Sequence, residues 1–337
     1  MDIAVVVNLR ARRGSESVAR GCRTELPGAR ILASRSLDET LSFAHALRAA
    51  PPDLLVSAGG DGTAVALINA MRPGGGAPAP NEGPIFGLLP LGTGNGWANA
   101  TGAPRWRAAL SRIRRASGGN ALPMRRFDLV EVDGTVAHFA GTGFDAELIE
   151  DFHAQKQGRG LLSAKARDGL AGYLHGLVTR TIPRHLRAKE RVTVELTNLG
   201  DDAIAIDELG HPYTLPGGGR GAVLYRGPAN VCAAGTTPEW GFGFKAFPFA
   251  GLVPRRFCMR IYGGSAIEAS LHAPALWRGA HPVPKMHSWL LTRCRATFSR
   301  PVPFQIGGDR LGYRREVEYG LASDIVDVLD WRALAAA

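Results

Sequence analysis

Two short apolar runs each break into glycines, a hydroxyl residue and a polar side chain: residues 54–63, LLVSAGGDGT, and residues 88–95, LLPLGTGN. An apolar run of that length bounded by glycine is a buried strand passing into a loop. Two of them with a helix-length segment between require a parallel pair with a crossover, which places this part of the chain among α/β folds.

The loops also suggest chemistry. Gly59, Gly60 and Gly62 remove three Cβ atoms from one turn, so its backbone is expected to adopt positive φ and to present N–H groups to an anion. Residues 63–71 (TAVALINAM) read as a helix whose N-terminus points at that anion. Asp61 is the odd member, because a carboxylate beside phosphates is repulsive unless it holds a metal ion or takes a proton from an attacking hydroxyl. Taken alone, GGDG also reads as a strand-to-helix turn with Asp61 as N-cap; the second glycine loop weighs against that reading.

Around these loops the elements alternate. Residues 3–7 form a β-branched strand, followed by Asn8 and a basic loop through Gly14 in which Arg12 and Arg13 could contact phosphate. Residues 15–26 and 36–50 read as amphipathic helices, with a short strand at 30–33 between them. The result is a doubly wound parallel sheet, at whose carboxyl ends Asn8, Ser34, Gly59 and Leu91 converge. Residues 72–83 (RPGGGAPAPNEG) are expected to be a surface loop, 84–89 a strand and 104–117 a basic closing helix.

From Arg125 the period changes to two. RFDLVEVDGTVAHFAGTGFDAEL reads as two alternating strands joined by Asp133-Gly134, the opening of a mainly antiparallel, β-sandwich-like domain. Residues 161–182 have helical apolar spacing, and residues 237–251 (TPEWGFGFKAFPFAG) hold five aromatics, more than a buried strand needs. The expected domains are 1–122, 123–325 and a C-terminal segment, 326–337, returning to the first.

The net charge of +10 favours a polyanionic partner: nucleic acid, an anionic bilayer or a phosphate-bearing substrate. No nucleic-acid motif or concentrated basic stretch supports the first of these. The chain starts on its first strand and contains no long apolar run, so a cytoplasmic location is expected. Cys22, Cys232, Cys258 and Cys294 are far apart, which predicts buried thiols rather than a disulfide framework or zinc site.

GGDGT at 59–63 followed by LGTGN at 91–95, with Asn8 ending the first strand, resembles the diacylglycerol kinase catalytic family, which includes bacterial lipid kinases, sphingosine kinases and ceramide kinases. The resemblance implies a nucleotide domain followed by a lipid-binding domain and phosphate transfer from ATP with Mg²⁺ to a lipid hydroxyl at the inner membrane face. It gives Asn8, Gly59, Gly60, Gly62, Thr63, Gly92, Thr93 and Asn95 to the nucleotide. Asp145, in GTGFDA, is given to the acceptor head group, although a helix N-cap explains it equally well. The 237–251 segment resembles the family's flap beside the substrate mouth, and 161–182 a helix beside the acyl pocket.

Three departures stand out. Leu9 replaces the family's proline after Asn8, and Gly96 replaces an aspartate after Asn95. The family's Asp-Gly-Glu turn reads Gly307-Gly308-Asp309, which removes one proposed general base. Asp61 is then the remaining candidate for the base, as proposed for sphingosine kinases, and Asp309 the candidate for Mg²⁺ or phosphate-side water. The rivals are a lipid- or nucleotide-binding protein that has lost catalysis, motivated by Gly307, and an NAD kinase-like enzyme using Asn81-Glu82. No obligate protein partner is implied, and a homodimer is compatible with the chain.

Overall fold

The computed structural model describes residues 1–72, 83–118, 121–157 and 191–336, and between the last two ranges residues 175, 176, 179, 180 and 183. Residues 73–82 of the expected loop, with Asn81-Glu82, and most of the helix expected at 161–182 lie outside the described residues. The backbone divides into two units, Met1–Phe127 with Ser323–Ala337, and Asp128–Ala322.

The first unit is built on β1 (Ile3–Asn8), α1 (Glu16–Glu25), β2 (Arg30–Ser34), α2 (Leu37–Ala49), β3 (Leu54–Gly59), α3 (Asp61–Met71), β4 (Ile85–Pro90), α4 (Gly96–Ala100), α5 (Trp106–Ala116) and β5 (Met124–Phe127). Hydroxyl caps start α1 and α2: the Ser15 side chain accepts from the Val18 amide, and Ser36 from the Glu39 amide. The sheet order is β2-β1-β3-β4, then the C-terminal strand Val326–Leu329, then β5. It is parallel as far as the C-terminal strand, and β5 closes it antiparallel. Met124–Phe127, read from the sequence as the opening of the second domain, therefore belongs to the first sheet.

Alternation along β3 sorts its side chains. Leu54, Val56 and Ala58 join a core with Val5 and Val7 of β1, Val18 and Cys22 of α1, Leu110 and Ile113 of α5, and Trp331. On the opposite face, Leu55 and Ser57 are also buried. A bidentate ion pair, Arg72 Nε and Nη2 to the Asp324 carboxylate at 2.7 Å each, ties the end of α3 to the C-terminal return.

The second unit contains β6 (Val130–Val132), β7 (Thr135–Ala137), β8 (Phe139–Gly143), α6 (Phe144–Gln157), β9 (Thr193–Asn198), β10 (Ile204–Ile206), β11 (Pro212–Thr214), β12 (Val223–Pro228), β13 (Val231–Gly235), β14 (Phe257–Tyr262), α7 (Ala266–Arg278), β15 (Met286–Leu291), β16 (Arg293–Ile306) and β17 (Asp309–Leu321). Asp133 and Gly134 both have positive φ, 50° and 76°, and make the β6–β7 hairpin turn. As the sequence suggested, the unit is antiparallel throughout, and among the described residues hydrogen bonding links twelve strands into one network. The joint is β16, whose ladder to β17 shifts register between Thr297 and Val302, across Pro301. Residues 294–298 of β16 pair with β9, and residues 304–306 with β8.

The aromatic run at 237–251 folds onto this sheet. Phe247 and Phe249 are buried in a cluster with Phe139, Cys258 and Leu290, while Trp240 and Phe244 stay partly exposed. All four cysteines are free and buried.

Candidate active site

The glycine loops meet at the carboxyl ends of β3 and β4, and they meet through their backbones. A Cβ added at Gly92 would lie 2.3 Å from the Gly60 Cα, and one at Gly59 would lie 2.5 Å from the Thr63 hydroxyl oxygen. None of Gly59, Gly60, Gly62, Gly92 or Gly94 takes positive φ. The positive φ expected at Gly59, Gly60 and Gly62 is thus corrected: at Gly59 and Gly60, as at Gly92, glycine is needed because the loops and the first turn of α3 are pressed together.

The left-handed residue is Asn95, at φ 53°, a side-chain type that tolerates this region. Its Oδ1 accepts from the Gly92 amide at 2.8 Å and its Nδ2 donates to the Gly92 carbonyl at 3.0 Å, which closes the second loop on itself. Asn8 does similar work from β1. Its Nδ2 donates to Thr63 Oγ1 at 2.9 Å, while its Oδ1 accepts from the Arg10 amide at 2.9 Å. The basic loop is fixed to the second glycine loop by the Arg13 amide, which donates to the Leu91 carbonyl at 2.9 Å, and the Arg12 and Arg13 side chains are exposed.

Helix α3 begins at Asp61, two residues earlier than the sequence suggested, with Gly60 as N-cap and no side-chain cap. Asp61 therefore does not cap its own helix. Its Oδ2 accepts from the Gly96 amide at 3.0 Å and its Oδ1 from the Trp97 amide at 3.2 Å, so it caps the short helix α4 and ties the two loops together. Burial pushes its carboxyl above the ordinary value, against the lowering effect of the Gly96, Trp97 and Asn95 amides. The amides of the first turn of α3 stay without a capping side chain, which leaves an electropositive helix end beside a raised carboxylate.

The structure thus gathers Asn8, Gly59, Gly60, Asp61, Thr63, Gly92 and Asn95, with Gly62 in the first turn of α3 and Thr93 in the loop that Asn95 closes. The remaining predicted site residues belong to the second unit. Asp145 lies within the first turn of α6, so its backbone is already helical. Asp309 is the first residue of β17, exposed, after the turn at Gly307 and Gly308. Both their elements adjoin β16: β8, which leads into α6, pairs with it, and an Arg310–Glu150 ion pair at 3.2 Å joins β17 to α6.

Sequence reasoning missed that Asp61 caps α4, because the cap joins residues 35 positions apart. It also missed Ser57 behind the loop and the Arg72–Asp324 pair. Among the described residues, no group of three or more His, Cys, Asp and Glu side chains could hold a metal ion, and no helix is long and apolar enough to cross a membrane.

Comparison with known proteins bears on this geometry. The model of the diacylglycerol kinase catalytic domain matches residues 2–126. A diacylglycerol kinase of Bacillus subtilis (strain 168) is 36% identical over 100 residues, 29% of this chain and 30% of the relative, so the match spans under a third of that protein's length. The crystal structure of a diacylglycerol kinase from Bacillus anthracis str. Sterne superposes at TM-score 0.62 and 13% identity, covering 99% of this chain and 98% of that one. An NAD kinase from Archaeoglobus fulgidus, solved with ATP, stands farther off at TM-score 0.48 and 10% identity over 100% and 98%. The resemblance drawn from the two loops is therefore shown: residues 2–126, which hold both, match the catalytic domain of the diacylglycerol kinase family, and over its whole length the chain shares that enzyme's fold.

Proposed function

We propose that the protein is an ATP-dependent lipid kinase that transfers the γ-phosphate to the hydroxyl of a membrane lipid, a diacylglycerol, ceramide or sphingoid base. The observation that carries this reading is Asp61, a part-buried carboxylate of raised pKa set between an uncapped helix N-terminus and a second glycine loop. That pairing suits phosphoryl transfer, in which phosphates are held by backbone amides while a nearby carboxylate receives the acceptor's proton.

In this mechanism the first-turn amides of α3, from Gly60 to Thr63, take the phosphates. Asn8 holds Thr63 in place, and Asn95 holds Gly92 and Thr93 around the nucleotide. Asp61 takes the proton from the attacking hydroxyl, its orientation set by the Gly96 and Trp97 amides. A loose transition state demands little of the base, so Asp61 suffices where the family's carboxylate is replaced by Gly307. Mg²⁺ would neutralise charge on the phosphates when bound, and one or two carboxylates beside a nucleotide are enough to hold it; Asp309 is the side chain assigned to it. Asp145 is assigned to the acceptor head group in this scheme.

The acceptor is reached at an anionic bilayer, on the cytoplasmic side. Support comes from the net charge of +10 and from α7, where Ile267 is 52% and Leu271 74% exposed one helical turn apart, with Arg278 exposed in the last turn. No nucleic acid or obligate protein partner enters this reading. A second reading, a binding protein without catalysis, is favoured by Gly307 alone.

The test is transfer from labelled Mg-ATP to diacylglycerol, ceramide, sphingosine and NAD in mixed micelles, with Asp61→Asn and Asp309→Asn alongside. A labelled lipid, lost with Asp61→Asn, supports the kinase and names its acceptor. Label on NAD alone would move the NAD kinase reading to first place. Absence of any labelled acceptor, with nucleotide still bound, would give the binding protein.

A further inference from the structure

Behind the loop, on the face of β3 turned away from Val56 and Ala58, Ser57 is 2% exposed and its hydroxyl has no hydrogen-bond partner. Its strand neighbours are Val6 of β1 and Leu88 of β4, whose backbones complete the ladder but leave the side-chain oxygen unused. An unpaired buried hydroxyl is unfavourable, and natural interiors rarely keep one without an ordered water.

Beside Ser57 is a cavity of about 10 Å³, lined also by Gly59, Gly60, Asp61, Leu88 and Asn95. That is close to the smallest volume that holds one water, provided its walls are polar. Ser57, Asp61 and Asn95 supply polar side chains to a lining that also includes Ala64, Leu89 and Ala98. The Asp61 carboxylate, with about four acceptor sites on its two oxygens, accepts from the Gly96 and Trp97 amides and is also met by the Asn95 amide, which leaves at least one acceptor site.

We propose that one ordered water fills this cavity, accepting from the Ser57 hydroxyl and donating to the Asp61 carboxylate, and that Ser57 is thereby a positioning residue for Asp61. The water fixes the carboxylate from behind as the α4 amides fix it from the side, so that its base-acting lone pair is directed at the acceptor hydroxyl. The positioning role rests on the phosphoryl-transfer reading above; the water itself does not.

High-resolution crystal structures of the intact protein and of Ser57→Ala, with thermal unfolding and steady-state kinetics of both and of Ser57→Thr, test it. The expected result is density for one water between Ser57 and Asp61, lost in Ser57→Ala, with a lower melting temperature for that variant. The alanine variant should lose roughly tenfold or more in kcat with KM for ATP unchanged, and Ser57→Thr, which keeps the hydroxyl, should recover most of it. An empty cavity overturns the proposal, as does an alanine variant at least as stable as the parent, since removing an orphan hydroxyl is neutral or favourable. A bridging water with unchanged kcat overturns the positioning role. Should the parent phosphorylate no acceptor, the kinase reading fails while density and melting still decide the water.

Discussion

Gly60 and Gly92 stand backbone to backbone: a Cβ on Gly92 would come within 2.3 Å of the Gly60 Cα and 3.1 Å of Asn95 Oδ1. No side-chain rotation relieves the first contact, so the two loops cannot both keep their places once either carries a larger residue. Gly92→Ala is expected to cost about 1–3 kcal/mol, the usual penalty for overpacking, and to abolish nucleotide binding before it unfolds the sheet. Gly28→Ala is the control, because nothing lies within 4 Å of its would-be Cβ. Calorimetric titration with ATP beside thermal melting checks both. Equal ATP affinity in Gly92→Ala and the parent would dissociate the loop junction from the nucleotide.

Asp61 gives a prediction in pH. Its folded pKa is raised by burial, so the folded form binds its proton more tightly than the unfolded chain does. The contribution to stability is fully present below the unfolded value near 3.8 and is lost as pH rises through the folded value. Asp61→Asn, fixed in a neutral form, should flatten that part of the curve of unfolding free energy against pH. The same variant leaves one carbonyl oxygen where two amides require acceptors, so activity should fall by roughly 10²–10⁴-fold, as for loss of a general base. Denaturant unfolding from acid to neutral pH measures the first effect; a curve superimposable on the parent's contradicts it.

Much of the first unit was legible because its signals are local. Ser15 and Ser36 announce their helices and apolar runs mark β1 and β3; in the second unit Asp133-Gly134 likewise names its turn. What escaped depends on distant residues. Asp61 looks like a cap for α3, yet its acceptors are taken by amides of α4, whose position follows only when β3 and β4 pair. The boundary after residue 122 was misplaced because β5 has no apolar alternation of its own: its first three residues, Met124 to Arg126, are exposed, and it joins the sheet through the C-terminal strand. Phe247 and Phe249 looked like surface or pocket aromatics in sequence, and only the packing on Cys258 and Leu290 makes them core.

The Arg72–Asp324 pair closes the first unit over 252 residues of chain, and the Asp324 side chain is only 3% exposed. Both hydrogen bonds are charge-assisted and share one carboxylate. Asp324→Ala removes two charge-assisted hydrogen bonds from a largely buried guanidinium and is expected to cost about 1–3 kcal/mol, whereas exposed pairs such as Arg35–Glu16 should cost well under about 1 kcal/mol when broken. Chemical denaturation of the two variants compares them directly. A similar small loss in both would place the C-terminal return outside the cooperative unit.

His138 is expected to contribute to acid lability in the second unit. It is fully buried, and burial pulls its pKa down to about 3. The unfolded chain, titrating near 6.5, then takes up a proton that the folded unit refuses. Stability from this residue is present above 6.5 and is lost progressively as pH falls towards 3, on the order of a few kcal/mol in all. His138→Phe keeps an aromatic ring against Phe139 and should move the acid unfolding midpoint to lower pH. Near-ultraviolet circular dichroism during acid titration reads it; an unchanged midpoint assigns acid lability to other groups.

Gly307 and Gly308 form the two-residue turn between β16 and β17, with φ of 59° and 93° and Ile306 paired with Asp309 across it. Positive φ at both central positions admits Gly-Gly and Asp-Gly almost equally, because aspartate tolerates the left-handed region. The Gly307 amide, which donates to the Phe139 carbonyl at 2.9 Å, is kept by any residue but proline. Gly307→Asp therefore restores the family's carboxylate at a backbone cost of about 1 kcal/mol, to which seating a side chain at this buried position adds. If this chain is a kinase working with Asp61 alone, the added carboxylate should raise kcat by a few-fold to about tenfold, short of a full general-base contribution because Asp61 already supplies one. Turnover by Gly307→Asp where the parent has none would show that the chain kept the machinery of transfer and lost only this group. An intact hairpin with turnover unchanged would mean that the turn lies away from the reacting atoms, and the absence of the family's aspartate would then say nothing about catalysis.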